Sequence, residues 1–106
     1  MFYQQELKRK KRVKVEFEKE GTRFYKNDDS GKLLAEVTYE PSGEDKVKLT
    51  HTFVDSSLRG QGVAEQLVDH LAAEMKKEGK KIVPVCSYAV ALFKRKSDKY
   101  EDIIAK

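Results

Sequence analysis

The spacing of apolar residues changes once along this chain, after Asp55, and this change limits what the chain can fold into. Before it, apolar and polar residues alternate over short runs, which indicates strands with one buried face. After it, apolar residues recur at spacings of three and four, which indicates a helix with one apolar stripe. Strands followed by helices predict an α+β domain with a mixed, mostly antiparallel sheet and two main helices.

Five strands are predicted. Short turns separate the first four, which are therefore expected to be antiparallel neighbours. The fifth follows the long helix, so it is predicted to run parallel to the fourth. Strict alternation in the fourth strand predicts one shared face for four side chains: Val47, Leu49, His51 and Phe53. The predicted strands span residues 13–17, 23–26, 33–39, 47–54 and 81–86.

Two helices are predicted. The longer one has about four turns and ends at Gly79, because glycine tolerates the left-handed backbone of a C-terminal cap. The second covers residues 88–96, with Ser87 as its cap. Residues 100–104 are expected either to add an edge strand or to pack their two isoleucines. The predicted apolar stripes are Val63, Ala64, Leu67, Val68, Leu71, Ala72 and Met75 in the long helix and Ala89, Leu92 and Phe93 in the second.

The length of 106 residues supports one domain, predicted over residues 13–106. Residues 1–12 lack core periodicity and are interpreted as a basic N-terminal arm. Much of the net charge of +4 lies in residues 8–12. This run suggests nucleic-acid or membrane-surface binding, but no aromatic side chain interleaves the charges as base stacking requires, so a solvated tail is expected.

Cys86 is the only cysteine, which excludes an internal disulfide and favours a reducing, cytoplasmic location. No apolar run reaches the roughly 20 residues of a membrane helix, so no membrane partner is expected. No metal site is predicted. The sequence does not indicate an oligomeric state.

Residues 59–64 (RGQGVA) lie between the fourth strand and the long helix. Glycine lets a ligand approach main-chain N–H groups, and the first N–H groups of a helix have no partner within it. With the positive end of the helix dipole and Arg59, they form an anion site that suits a pyrophosphate. Neither a Walker loop nor a dinucleotide fingerprint fits, since Glu65 stands where the fingerprint needs a small residue. The alternative is an ordinary glycine-rich turn.

Three ordered motifs resemble the GNAT superfamily of N-acetyltransferases. Residues 59–64 are similar to its Arg/Gln-x-x-Gly-x-Gly/Ala signature and stand at the same place, between a strand and a helix. HTxV at residues 51–54 and PxCSY at residues 84–88 are similar to the minimal, single-domain members of the superfamily. The resemblance extends from about residue 13 to residue 104 and includes YxD at residues 100–102.

The resemblance implies acetyl-CoA as co-substrate, with its pantetheine arm lying where the fourth and fifth strands splay apart. Pro84 is expected where the fifth strand has lost its neighbour, because proline cannot donate to a ladder. The resemblance further implies main-chain contacts to pantetheine from Phe53 and Val54, with Phe93 and Lys94 near the outer part of the cofactor. The residues predicted to bind the cofactor are Phe53, Val54, Arg59, Gly60, Gln61, Gly62, Val63, Ala64, Phe93 and Lys94.

Cys86, His51 and Tyr88 are the candidate catalytic residues. Residues matching Cys86 and His51 are active-site candidates in the minimal family, and both lie on strands that flank the thioester in this arrangement. Cys86 could accept the acetyl group as a thiolate with His51 as base, or His51 could deprotonate the acceptor amine while Cys86 lines the pocket. Tyr88 is a candidate to protonate the leaving thiolate. Each also has a purely structural interpretation: Cys86 as a small apolar residue of the core, His51 as a hydrogen-bonded core histidine, and Tyr88 as an aromatic residue that packs against the core.

The sequence therefore predicts an acetyl-CoA-dependent N-acetyltransferase that acts on an amine of unknown identity. The alternative is a non-catalytic acyl-CoA-binding module. Such a module would share every binding feature with the enzyme and would differ from it only at His51 and Cys86. A small basic nucleic-acid-binding protein, using the glycine turn for phosphate, is a third hypothesis.

Overall fold

The computed structural model describes residues 15–105, in which short turns link four strands and one helical crossover leads to a fifth. The sheet has the order β1-β2-β3-β4-β5, antiparallel except for the parallel pair β4–β5, and this confirms the predicted fold class. The elements are β1 (Glu18–Glu20), β2 (Arg23–Asn27), β3 (Leu33–Pro41), β4 (Lys46–Val54), α1 (Val63–Glu78), β5 (Lys81–Pro84), α2 (Ser87–Arg95) and α3 (Ser97–Tyr100), with a short 3-10 turn at Ser56–Leu58.

The first strand begins later than predicted. Residues 13 and 14 lie outside the described residues, and Val15 and Phe17 precede β1. Their alternation serves packing against α1: the Val15 N–H donates to Gln66 Oε1 at 2.9 Å, and the Phe17 ring contacts His70 with ring centroids 5.5 Å apart. The ladder with β2 begins only at Glu18.

One face of the sheet packs against the helices. Its side chains and the apolar stripes of α1 and α2 form a single buried cluster, as the helical periodicity predicts, except that Ala64 is half-buried and lines the cleft. Within residues 15–105 no helix covers the opposite face, called the open face here. The buried sheet residues are Phe24, Ala35, Val37, Tyr39, Val47, Leu49 and Ile82, and the open face carries Arg23, Tyr25, Glu36, Thr38, His51 and Phe53.

A β-bulge in β4 overturns the predicted alternation of that strand. Thr38 pairs with His51 and Tyr39 pairs with Leu49, so Thr50 is the extra residue. The extra residue moves His51 to the face opposite Leu49, while Thr52 lies on the helix side across from buried Val37. The prediction that His51 and Phe53 share the face of Val47 and Leu49 is therefore wrong.

Strands β4 and β5 part after Leu49. Its carbonyl accepts the N–H groups of both Val85 (3.0 Å) and Cys86 (3.1 Å), and β4 continues without β5 beside it. The reason predicted for Pro84, that β5 has lost its β4 neighbour there, is wrong. The Ile82 N–H points away from β4 and donates to the Ile103 carbonyl. Because backbone groups alternate along a strand, the nitrogen of Pro84 also faces away from β4. The strand ends at Pro84, two residues earlier than predicted.

Two predicted helix boundaries have different outcomes. Gly79 ends α1 as predicted, with a left-handed φ of 72° and its N–H bonded to the Lys76 carbonyl. Cys86, rather than Ser87, caps α2: its Sγ accepts the Ala89 N–H at 3.4 Å, and Ser87 is the first helical residue. In the tail, Ile103 is buried and Ile104 forms a parallel bridge with Ile82.

Gly79→Ala is expected to lower the free energy of unfolding by about 1 kcal/mol, because L residues are strained in left-handed backbone. An added Cβ would meet no atom within 4 Å, so the cost comes from the backbone alone. The urea midpoint measures it, with Lys77→Ala as a control at an exposed position of the same helix. Equal midpoints for Gly79→Ala and wild type would contradict this assignment.

Candidate active site

A cleft of about 550 Å³ lies between the C-terminal part of β4, the start of α1 and the side of α2. It occupies the place that β5 leaves after Leu49. Apolar side chains line much of it, and two arginines lie at its wall. The lining residues are Thr52, Phe53, Val54, Leu58, Arg59, Gly60, Gly62, Val63, Ala64, Glu65, Tyr88 and Arg95.

The first turn of α1 opens onto this cleft. Gly62 caps the helix with a left-handed φ of 78° and contributes no side-chain cap, so the first N–H groups face the cleft without a capping side chain. Gly60 is also left-handed, at 81°, and the two glycines bring the chain sharply from Arg59 into the helix. Gln61 is the exception among the predicted residues here: its Nε2 donates to the Ser57 carbonyl at 3.5 Å, and it does not line the cleft.

The main chain of β4 also faces the cleft, at alternate residues. Asp55 N–H donates to the Leu34 carbonyl at 2.8 Å, and the antiparallel ladder alternates from there. Phe53 therefore bonds to β3 through its backbone, whereas the N–H and C=O groups of Thr52 and Val54 point towards the side that β5 has left. Sequence reasoning missed Thr52, whose main-chain groups face the gap, whereas Phe53, also among the lining residues, uses its main chain in the ladder with β3.

Cys86 and His51, predicted as partners, belong to opposite faces of the sheet. Cys86 Sγ lies 3.9 Å from Thr52 Oγ1 and packs against the buried cluster on the helix side. His51 precedes Thr52 in the strand, pairs with Thr38 and is exposed on the open face. The bulge at Thr50 causes this separation, and the sequence pattern does not indicate a bulge there.

Tyr88 stands in the cleft wall, in the first turn of α2. Burial raises the pKa of its phenol, and the negative charge of Glu65 raises it further, while Arg95 partly opposes both. The hydroxyl therefore keeps its proton at neutral pH, as a proton donor requires.

The two outer residues predicted from α2 do not reach the cleft. Phe93 is buried, with its ring centroid 4.6 Å from that of Tyr100, and Lys94 is exposed outside the lining. Arg95 takes their place in the wall. Helical periodicity explains the difference, because Leu92 and Phe93 face the core and the residues that follow turn towards solvent or the cleft.

An ion network that sequence reasoning missed ties the end of the chain to the cleft wall. Glu65 accepts two bonds from Lys96 Nζ, at 3.0 and 2.9 Å, and one from Lys99 Nζ at 2.7 Å. Asp69, one turn along α1, accepts Lys99 Nζ at 2.9 Å and the Tyr100 hydroxyl at 2.6 Å. The sequence did contain a signal for this network. Glu65 and Asp69 are four residues apart on one helix, and Lys96 and Lys99 are three residues apart near another.

Burial of the Glu65 carboxyl opposes ionisation, but hydrogen bonds from Lys99 and Lys96 outweigh it and lower its pKa from 4.5 to about 2. The folded pKa lies below the unfolded one, so this stabilisation is present above pH 4.5 and is lost as the pH falls towards 2. The difference in melting temperature between wild type and Glu65→Gln is therefore expected to shrink over this range. Glu101→Gln, at an exposed position, serves as control; a difference independent of pH would contradict the assignment.

None of the helices within residues 15–105 combines the length and apolar character that a membrane crossing requires. A search of curated proteins finds no match to this chain. Among solved structures, a GCN5-like candidate N-acetyltransferase from Staphylococcus aureus shares 30% identity and superposes with a TM-score of 0.73, covering 86% of this chain and 88% of that one.

Two further structures from Escherichia coli are similar over a smaller share of their own length. A GNAT-family N-acetyltransferase in complex with CoA is 26% identical, with a TM-score of 0.55 over 69% of this chain and 43% of that one. The ribosomal-protein-S18-alanine N-acetyltransferase, at 19% identity, shares the fold, with a TM-score of 0.55 over 85% of this chain and 57% of that one. The family model of GCN5-related N-acetyltransferases matches residues 23–103, and the chain belongs to that family.

Proposed function

We propose that this protein transfers the acetyl group of acetyl-CoA to an amine. The observation that carries the proposal is the coincidence of two features at one cleft: the uncapped start of α1 and the gap that β5 leaves beside β4. The first suits a pyrophosphate and the second suits an extended arm, and CoA joins these two chemical groups. The structure of a family member in complex with CoA supports the same choice.

The pyrophosphate would lie against residues 62–65. Main-chain N–H groups at a helix start carry partial positive charge and bind anions without a side chain. Gly62 lets the ligand approach, because it has no Cβ and adopts the left-handed backbone. Arg59 and Arg95, both in the cleft wall, add full positive charges beside this turn.

The pantetheine arm would lie beside β4, in the place of the strand that is missing there. Its amides can pair with the main-chain groups of Thr52 and Val54 that point into the gap, in the manner of an extended peptide added to a sheet edge. The arm then directs the thioester towards the point where the strands part, near Thr50 and Cys86.

Direct transfer is the route that the faces of β4 support. The acceptor amine approaches from the open face, where His51 can take its proton. The amine nitrogen forms a bond to the acetyl carbonyl carbon, the C–S bond breaks, and the sulfur leaves with the electron pair. Tyr88 can donate its proton to that sulfur, since its raised pKa keeps the phenol protonated.

A covalent route through Cys86 remains the second candidate. The observation in its favour is the place of Sγ at the start of α2, 3.9 Å from Oγ1 of the cleft residue Thr52. Against it, His51 lies on the other face of the sheet and is not placed to act as its base. The N-cap bond to Ala89 and packing against the core give Cys86 a structural role.

We also propose a cytoplasmic location, on the basis of this single cysteine.

Acetyl-CoA is expected to raise the melting temperature of the wild type and to lose this effect in Gly62→Asp, because the carboxylate would repel the pyrophosphate. Gly62→Asn is the matched control, since Asn tolerates left-handed backbone without the charge. Gly43→Asp controls for strain, because Gly43 has a similar φ of 82° in a turn outside the cleft. An undiminished shift in Gly62→Asp would show that the phosphates bind elsewhere.

Cys86→Ser separates the two routes without removing the helix cap, since serine caps helices well. With an amine acceptor at neutral pH, direct transfer predicts that Cys86→Ser acetylates at close to the wild-type rate, whereas His51→Gln is about a hundredfold slower. Mass spectrometry of the N-acetyl product measures both. Loss of activity in Cys86→Ser, with an acetyl group on Cys86 of the wild type, would establish the covalent route. Binding without turnover in the wild type would support an acyl-CoA-binding module.

A further inference from the structure

The cleft wall and the open face of the sheet share one residue. Phe53 is among the residues that line the cleft, and its side chain belongs to the open face, where it is one of the two large apolar side chains most exposed in the described chain, at 36%. The other is Val85, at 52%, which follows the end of β5. An acceptor that reaches the thioester over the open face therefore passes an apolar surface first.

A carboxylate lies next to this apolar surface. Glu36 is directly opposite Phe53 in the β3–β4 ladder, and its side chain is 18% exposed. Glu36 Oε2 accepts Arg23 Nε at 2.6 Å, and Oε1 accepts no hydrogen bond from residues 15–105. Arg23 also pairs with Glu20, so two carboxylates share one guanidinium and the group retains a net charge of −1.

The carboxylates Glu20 and Glu36, which share one arginine, give the end of the open face that holds Phe53 an excess of negative charge. At the other end, Lys48 pairs with Glu40 in the ladder, and Lys46 lies opposite Lys81. The face thus has an acidic and apolar end at Glu36 and Phe53 and a basic end at Lys46 and Lys81, with His51 between them. A cationic group of the acceptor is attracted to the first end, whereas an anionic group is attracted to the second.

We propose that the acceptor is an aliphatic diamine or polyamine, and that Glu36 selects it by binding the positive charge that does not react. The inference rests on the proposed acetyl transfer and names its substrate class. The reacting nitrogen lies near His51, the methylene chain crosses the Phe53 ring, and the second ammonium group bonds to Glu36 Oε1.

The register fixes the length of the acceptor. Glu36 lies opposite Phe53 and is therefore a diagonal neighbour of His51, and the Cβ atoms of diagonal neighbours are about 7 Å apart. With C–C and C–N bonds of about 1.5 Å, this separation corresponds to roughly four or five methylene groups between the two nitrogens. A monoamine of equal length makes the apolar contact but leaves Glu36 without its partner.

The test compares n-butylamine, 1,4-diaminobutane and a lysine-terminated dipeptide as acceptors, with acetyl-CoA as donor. The ratio of kcat/KM for the diamine to that for the monoamine is expected to be at least about tenfold in the wild type and to fall towards one in Glu36→Gln. The glutamine retains an oxygen for Arg23, which preserves the fold. Glu40→Gln, on the same strand and face but at the basic end, should keep the wild-type ratio.

Three results would overturn the proposal: equal efficiency for the monoamine and the diamine, an unchanged ratio in Glu36→Gln, or a clear preference for the dipeptide. Each leaves acetyl transfer itself intact, because product still forms. Failure of the proposed function looks different, since no acceptor would then be acetylated by a wild type that binds acetyl-CoA, or the wild type would show no thermal shift with acetyl-CoA at all.

Discussion

The site depends on the double hydrogen bond at the Leu49 carbonyl. This carbonyl accepts the N–H groups of both Val85 and Cys86, so the parallel ladder ends there. The chain then turns into α2, while β4 continues. A cleft opens because one strand stops where its neighbour does not. The start of α1 lies at the same cleft, because α1 is the crossover that joins β4 to β5. One backbone event therefore places the uncapped start of α1 and the gap beside β4 side by side.

The bulge at Thr50 gives the two faces of β4 different roles. Beyond it, Thr52 and Val54 face the helices and the cleft, and His51 and Phe53 face away. A thioester held at the gap is then accessible from the open face, while its carrier stays on the other side. This division separates His51 from Cys86 and favours direct attack by an amine over a relay through the thiol.

The sequence predicted the parts that local rules determine. Helical periodicity placed α1 and the glycine turn, and Gly79 ended the helix as a left-handed cap should. The bulge could not be predicted, because it depends on the register with β3 rather than on Thr50 itself. The same limit applies to the Glu65 network, whose partners are about 30 residues apart in sequence, and to Cys86 as a cap, since cysteine is not among the preferred capping residues.

The central claim is that the gap beside β4 and the start of α1 together hold CoA. The most direct measurement is an amide ¹H–¹⁵N titration of the labelled protein with CoA. The account predicts that the largest shifts fall on Thr52, Val54 and residues 62–65, with little change in the hairpin of β1 and β2. Shifts centred on that hairpin or on residues 97–104, or no saturable shift anywhere, would contradict it.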